Sequence, residues 1–339
     1  MAFSGHRPRK RFGQHWLVDP QVLERIVAAA AIQPGEWLLE VGPGRGVLTE
    51  RLLASPAAGL VAVELDRDLA AGLRQRFGAE PRFQLLEGDA LKVPLLTPLG
   101  RLPDKVVANI PYNITGPLLE RLVGRLDQPP PQPFSRLVLL VQQEVGQRLT
   151  ASAGQSAFSA LTLRMALLAR CQRVCVVPPR SFQPPPKVMS EVVVLEPLAA
   201  AERLAPDRAR QLDQLLRRCF AARRKMLRNT LAGLLPPARL EAVAAAAQVD
   251  LSLRPQDLPL ERWLELEEGL TRSAALPTGG LPALELPADG LSALEQPALE
   301  GPADGLAGEA LPGQAQPADA LPADALPAQD GTTADPDPA

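Results

Sequence analysis

Short apolar runs alternate with helical stripes along the first part of the chain. Glu36 to Val41, Leu60-Val61-Ala62-Val63, Phe83 to Leu86, Lys105-Val106-Val107-Ala108 and Leu137 to Val141 are largely apolar, as strands covered on both faces of a parallel sheet must be. Between them apolar residues recur at helical spacing. Val22, Leu23, Ile26 and Val27 follow an Asp19-Pro20 start signal, Leu65, Leu69, Leu73 and Phe77 recur every fourth residue, and a further helix is expected from about Gly116 to Leu126. Gln142 to Val145 opens another helix, Ala160 to Leu168 continues in helical period, and the valine-rich runs ending at Val177 and Val194 read as closing strands. Strands alternating with helices predict an α/β fold built on a parallel sheet.

From about Ala199 the pattern becomes helical throughout and rich in Leu, Ala and Arg. Leu212, Leu215, Leu216 and Cys219 form one stripe, with Arg217, Arg224 and Arg228 expected along another face, and shorter helices fill Leu231 to Leu266. After Arg272 come repeated Leu-Pro-Ala elements without any Phe, Tyr or Trp, a composition that cannot bury enough surface to fold. The expected organisation is an α/β domain with a basic N-terminal arm at 1–198, a small helical domain at 199–272, and a disordered Pro/Ala-rich acidic tail at 273–339.

Charge sharpens this division. The 339-residue chain has a formal net charge of -2, yet its eleven acids from Glu285 to Asp337 lie in a tail without Lys or Arg, so the body before Ser273 has a net charge of +9. A basic body favours an anionic partner such as nucleic acid. The segment Arg7-Pro8-Arg9-Lys10-Arg11-Phe12-Gly13-Gln14-His15-Trp16-Leu17 sets cations beside aromatics, so Phe12, Trp16 and Leu17 are expected to fold back over the body while Arg9, Lys10 and Arg11 meet phosphates. Three cysteines, Cys171, Cys175 and Cys219, do not make a disulfide framework, and only His6 and His15 exist to complete a metal site, so none is expected. With no signal peptide or long apolar span, the expectation is a cytoplasmic monomer away from any membrane.

The candidate chemistry lies where strands end. The first strand runs into Gly42-Pro43-Gly44-Arg45-Gly46, whose glycines let the main chain turn and approach a ligand. Glu64 ends the second strand, about where dinucleotide-type folds hold a ribose diol. Asp89 follows the third, and an adenine amino group would suit it. Asn109-Ile110-Pro111-Tyr112 follows the fourth: an Asn amide and a neighbouring carbonyl can accept protons from an exocyclic amine, and the Tyr ring offers a face to a planar base. A parallel sheet would gather all four ends along one rim. No Gly-Lys-Ser/Thr marks a P-loop and no Gly-x-Gly-x-x-Gly a dinucleotide loop, so amine methylation fits the set better than phosphate or hydride chemistry. The proline-rich loop Pro178 to Lys187 either presents Phe182 to a base or serves as a packed connector. The cations from Phe220 to Arg228 either face solvent or track phosphates, and their density favours the second.

Taken in order, Lys10-Arg11-Phe12-Gly13-Gln14, Glu40-Val41-Gly42-Pro43-Gly44, Val63-Glu64-Leu65-Asp66, Gly88-Asp89-Ala90, Asn109-Ile110-Pro111-Tyr112-Asn113-Ile114, Phe182-Gln183-Pro184-Pro185-Pro186-Lys187-Val188 and Phe220-Ala221-Ala222-Arg223-Arg224-Lys225 resemble the KsgA-type small-subunit ribosomal RNA adenine dimethyltransferases. The resemblance spans roughly residues 7 to 268. It implies a Rossmann-like class I methyltransferase domain followed by a small helical domain, with S-adenosylmethionine donating methyl groups to the N6 amines of two adjacent adenosines near the 3′ end of small-subunit rRNA during ribosome maturation. Implied at the methionine end of the cofactor are His15, Leu17, Gly42 and Gly44. Glu64 is implied at its ribose, Asp89 at its adenine, and Asn109 with the Ile110 carbonyl and Pro111 at the target amine. Tyr112 and Phe182 would stack on the target base, and Arg223, Arg224, Lys225 and Arg228, with the N-terminal cations, would hold RNA. The family commonly has Asn-Phe where this chain has His15-Trp16, and Leu in place of Ile110. A large-subunit rRNA adenine methyltransferase of the antibiotic-resistance type shares the cofactor loop and the Asn-x-Pro-Tyr turn. A non-catalytic assembly factor on the same fold is the alternative from another class.

Overall fold

A computed structural model describes residues 14–131 and 134–274, all within one compact unit. The chain enters through a two-residue strand β1 (Trp16–Leu17) and helix α1 (Pro20–Ala30), then alternates β2 (Trp37–Val41), α2 (Val47–Leu53), β3 (Gly59–Glu64), α3 (Arg67–Phe77) and β4 (Phe83–Glu87). It continues through β5 (Lys105–Asn109), α4 (Thr115–Val123), β6 (Arg136–Gln142), α5 (Gln143–Thr150) and α6 (Ala160–Ala166). Three further strands, β7 (Ala169–Val177), β8 (Phe182–Gln183) and β9 (Ser190–Pro197), precede helices α7 (Pro206–Ala221), α8 (Leu227–Thr230), α9 (Pro237–Ala246) and α10 (Leu260–Ala274).

Seven strands form one sheet in the order β4-β3-β2-β5-β6-β9-β7. Strands β2 to β6 run parallel; β9 is antiparallel to both β6 and β7. Because β2 is followed on one side by β3 and β4 and on the other by β5 and β6, strand order reverses between β2 and β5. A crevice opens at such a point, beyond the carboxyl ends of the strands.

The apolar runs do what their composition requires. Leu38, Leu60, Val107, Val138, Leu140, Val192 and Val194 face a cluster shared with Val22, Leu23 and Ile26 of α1 and Leu48 and Leu52 of α2. Leu39, Val61, Val106, Ala108, Leu137, Leu139 and Val193 face the opposite cluster, with Leu118, Leu119 and Leu122 of α4. Both sheet faces are covered, so the strands lack a polar alternation. The second cluster continues into α7 through Leu212, Leu215, Leu216 and Cys219 and on to Trp263 in α10, the stripe expected of that helix.

Local signals explain several helix starts. Asp19 caps α1 by accepting from the Gln21 and Val22 amides, with Pro20 at the first position. In α3 the cap is Asp66, which accepts from the Asp68 amide at 3.1 Å. This corrects the expected Leu65 stripe: Leu65 precedes the cap and is 51% exposed, while Leu69, Leu73 and Phe77 are buried. The helix after Asn109 also differs from expectation. A 3-10 turn over Tyr112–Ile114 comes first, and α4 ends at Val123, where Gly124 adopts φ 89 and cannot continue it.

The arginine face expected across Arg217, Arg224 and Arg228 is not one face. α7 stops at Ala221, and Arg217 pairs with Asp213 at 2.8 Å within the helix. Arg218 is likewise committed, donating to the Thr230 and Ala232 carbonyls at 2.6 Å and so fastening α7 to the segment after α8. Arg224, Lys225 and Arg228 lie beyond the helix and are exposed. The expected arm cations Arg9, Lys10 and Arg11, and the expected acidic tail, lie outside the described residues.

Candidate functional site

The carboxyl ends of β2, β3, β4 and β5 converge on a cleft lined by residues from each. Gly42 and Gly44, Glu64 and Leu65, Gly88 and Asp89, and Asn109 to Ile114 all contribute, as the sheet order demands. His15 and Trp16 close the cleft from the N-terminal side.

The glycine loop after β2 is held by its neighbours. Gly42 donates to the Val63 carbonyl at 2.9 Å and has φ +71; a Cβ there would stand 3.4 Å from the Pro111 ring. Gly44, at φ +59, lies so close to the Trp16 indole that a Cβ would sit 2.7 Å from it. Gly42 is required by its backbone conformation, and Gly44 both by its conformation and by the approach of Trp16. The Arg45 guanidinium covers the Trp16 ring at 3.9 Å, clamping β1 over the loop.

Glu64 is buried, and both carboxylate oxygens work on the backbone: one accepts from the Gly44 amide at 3.0 Å, the other from the Asp66 amide at 2.9 Å. Burial raises its pKa while those amides pull it back. Glu64 therefore fixes the spacing between the glycine loop and the start of α3 as well as facing the cleft. Beside it, Glu40 of β2 is fully enclosed and accepts from the Thr49 hydroxyl at 2.7 Å, and burial pushes its carboxyl up to about 8. Asp89 uses one oxygen to accept from the Leu91 amide at 2.9 Å, closing its own turn, and remains partly exposed at the cleft edge. Leu65 presents an exposed apolar side chain to the same cleft, beside Glu64 and Asp89.

At the end of β5 the Asn109 amide donates to the main-chain carbonyl of His15 at 3.0 Å. That bond fixes the amide's sense and leaves its oxygen as the acceptor it offers to the cleft. Ile110 is buried and its N–H donates to the Leu140 carbonyl at 3.1 Å, tying the turn to β6. The Pro111 carbonyl accepts from the Ile114 amide, forming the short turn that sets Tyr112. The Tyr112 ring lies nearly parallel to the His15 imidazole, with centroids 5.8 Å apart at 25°, and its hydroxyl is 2.6 Å from the Ser190 hydroxyl. His15 in turn reaches the Pro184 carbonyl through Nδ1 at 2.9 Å.

Of the residues singled out in the sequence, His15, Gly42, Gly44, Glu64, Asp89, Asn109, Ile110, Pro111 and Tyr112 line this one cleft. Two do not. Leu17 is buried beneath it, and Phe182, expected to stack on a target base, is 3% exposed in the apolar cluster that also holds Leu17 and Val177. The reason is the β1–β8 pairing of Leu17 with Phe182, which makes the proline-rich loop a packed connector for the N-terminal segment. Some distance along the chain, Arg223 donates to the Ser156 carbonyl at 2.7 Å, while Arg224, Lys225 and Arg228 remain exposed. Sequence reasoning missed Leu65, Ser190 and the side-chain role of His15. A lone Ser among valines carries no signal, whereas Leu65, next to an acid at a strand end, was readable as part of the rim.

Among the described residues no helix is long and apolar enough to cross a membrane, and no group of three or more His, Cys, Asp or Glu is placed to hold a metal. The family described as ribosomal RNA adenine dimethylase matches residues 5–272. A ribosomal RNA small subunit methyltransferase A from Parasynechococcus marenigrum (strain WH8102) is 62% identical over 272 residues, covering 80% of this chain and 90% of its own. One from Synechococcus sp. (strain RCC307) is 63% identical over 270 residues, covering 80% and 98%. Among solved structures, a dimethyladenosine transferase from Plasmodium falciparum aligns with TM-score 0.61 at 28% identity, over 74% of this chain and 96% of its own. The 23S rRNA methyltransferase ErmE aligns with TM-score 0.61 at 26% identity, over 75% and 99%. With both sheet and cleft of the Rossmann-like methyltransferase kind, the chain belongs to the ribosomal RNA adenine dimethylase family.

Proposed function

We propose that this chain transfers methyl groups from S-adenosylmethionine to the N6 amines of two adjacent adenosines near the 3′ end of small-subunit rRNA, acting on an assembly intermediate of the small ribosomal subunit. The observation that carries the reading is Asn109 at the cleft, its amide nitrogen held by the His15 carbonyl and its oxygen left as an acceptor, with the Tyr112 ring lining the same cleft. An adenine amine is a poor nucleophile because its lone pair is delocalised into the ring. Acceptors that take its hydrogens favour a tetrahedral nitrogen and expose that lone pair. Asn109 Oδ1 and the Ile110 carbonyl are the acceptors, and as positive charge grows on the nitrogen they stabilise it. Tyr112 offers its ring to the base, which must leave any helix to reach the cleft.

The residues present fit the methyl donor. A close-approach glycine loop, a carboxylate at Glu64 for a ribose diol, a second at Asp89 for an exocyclic amine, and the exposed Leu65 side chain for the flat face of an adenine lie together along the rim. The donor supplies an electrophilic methyl on a sulfonium, and the chain's part is to place the amine in line with it and keep water out. Phe182 supports this arrangement from within the core by seating β1. We assign RNA holding to the helical part at 199–272 through Arg223, Arg224, Lys225 and Arg228, with Arg9, Lys10 and Arg11 of the arm, and expect a cytoplasmic monomer. Identity of about 62% to small-subunit methyltransferases, against 26% to a large-subunit one, favours the small subunit.

The test is methylation in vitro. Purified protein with labelled S-adenosylmethionine should convert under-methylated immature small subunits to N6-dimethyladenosine. Label entering only large-subunit RNA, or none entering RNA at all, would overturn the reading.

A further inference from the structure

Ser190 is fully buried, opens β9, and shares a hydrogen bond of 2.6 Å with the Tyr112 hydroxyl. Its backbone position is set by pairing with Gln142 of β6 on one side and Val177 of β7 on the other. Tyr112 itself sits in a three-residue 3-10 turn without a side-chain cap, and its main-chain carbonyl also accepts from the Thr115 hydroxyl at 3.2 Å. Left to that turn, the ring could swing about its Cα–Cβ bond. The His15 ring borders one face, but at 5.8 Å between centroids it restrains tilt more than swing. The phenol lies at the lever's far end, where one bond to a rigid strand restrains the whole ring.

We propose that Ser190 is a positioning residue for methyl transfer: through the Tyr112 hydroxyl it references the base-stacking ring to the sheet that also carries Asn109. The amine acceptor ends β5 and the ring's anchor opens β9, with β6 hydrogen-bonded between them. The hydroxyl of Tyr112 then serves geometry and takes no part in proton transfer. Burial raises its pKa, which keeps it a neutral partner for Ser190. The inference rests on the proposed role of Tyr112 in stacking on the target base.

A double-mutant cycle tests it. Ser190→Ala and Tyr112→Phe each remove one end of the bond while retaining an aromatic ring at position 112. Single-turnover methylation of immature small subunits, at saturating cofactor, is expected to fall roughly three- to tenfold in each, the scale of one neutral hydrogen bond. The double variant should match the single ones within about twofold, since both delete the same interaction. With 2-aminopurine at the target position, both single variants should change the fluorescence of the bound base alike, while cofactor affinity stays put. Multiplying losses, or a Ser190→Ala enzyme at the parent rate beside a slowed Tyr112→Phe, overturns the inference. If the parent enzyme methylates no small subunits, the functional reading fails instead, and the two failures are distinct.

Discussion

Glu40 offers a stability test whose sign follows from burial. Its carboxyl is 1% exposed, accepts only the Thr49 hydroxyl at 2.7 Å, and is pushed from 4.5 up to about 8, chiefly by desolvation and further by the neighbouring Glu64 charge. Between those two values the folded chain keeps a proton that the unfolded chain has released. Stability therefore falls as pH rises through the window, and levels off above it. At about 1.4 kcal/mol per pH unit the upper bound is about 5 kcal/mol, and relaxation around the buried charge reduces this to about 2 to 4 kcal/mol. Glu40→Gln keeps an acceptor for Thr49 and removes the charge. Near pH 5 the variant should melt close to the parent; at pH 9 it should melt higher by roughly 5 to 15 °C, using about 2 to 4 °C per kcal/mol. Thermal melts of both proteins across pH 5 to 9 measure this directly. Glu191, whose carboxyl burial also raises, titrates in both proteins and drops out of the difference, whereas the charge coupling between Glu40 and Glu64 belongs to the effect being measured. Parallel curves over the whole range would refute the account of Glu40 as a neutral buried acid.

Four further outcomes are expected. Glu64→Ala should weaken S-adenosylmethionine binding in calorimetry and also lower the melting point, because it orphans the Gly44 and Asp66 amides at about 1 to 3 kcal/mol each; unchanged affinity would remove Glu64 from the site. Asn109→Ala should keep cofactor and RNA binding yet lose on the order of 10² to 10³ in single-turnover methyl transfer, as for one preorganised electrostatic contact, and a parent-like rate would place the chemistry elsewhere. Arg224→Glu with Arg228→Glu should weaken RNA binding and flatten its salt dependence in filter binding, and an unaltered slope would return these cations to solvent. His15→Asn should transfer methyl groups within about threefold of the parent, because the bond holding Asn109 comes from the main chain and is worth about 1 kcal/mol whichever side chain sits there; a much larger loss would show that the imidazole itself acts.

The sheet was legible because parallel strands covered on both faces leave an unmistakable apolar run, and their ends carried the polar residues. Gly42, Glu64, Asp89 and Asn109 fell on one rim as strand order requires. What failed to read was whatever depended on a neighbour distant in sequence. Leu65 continued a four-residue stripe on paper, yet Asp66 captures the helix start and leaves Leu65 outside. Arg217, Arg224 and Arg228 shared a helical period, but α7 ends between the first and second of them. The stiff loop around Phe182 could either present its ring or pack it as a connector, and only the pairing with Leu17, a contact distant in sequence, decides for the core.

Those same long-range contacts explain why the site needs the N-terminal segment. His15 supplies the carbonyl that orients Asn109, stacks on Tyr112 and reaches the Pro184 carbonyl, while Trp16 seals Gly44 under the Arg45 guanidinium. The segment thus touches the glycine loop, Asn109 and Tyr112 at once. These contacts come from His15 and the first residue of a two-residue strand, which is held in place by the pairing of Trp16 and Leu17 with Gln183 and Phe182 and by burial of Leu17 and Phe182 in one apolar cluster. On the proposed reading, a base against Tyr112 would meet the His15 ring, and the same residue holds Asn109 through its main-chain carbonyl, so base placement and acceptor alignment are linked through one residue.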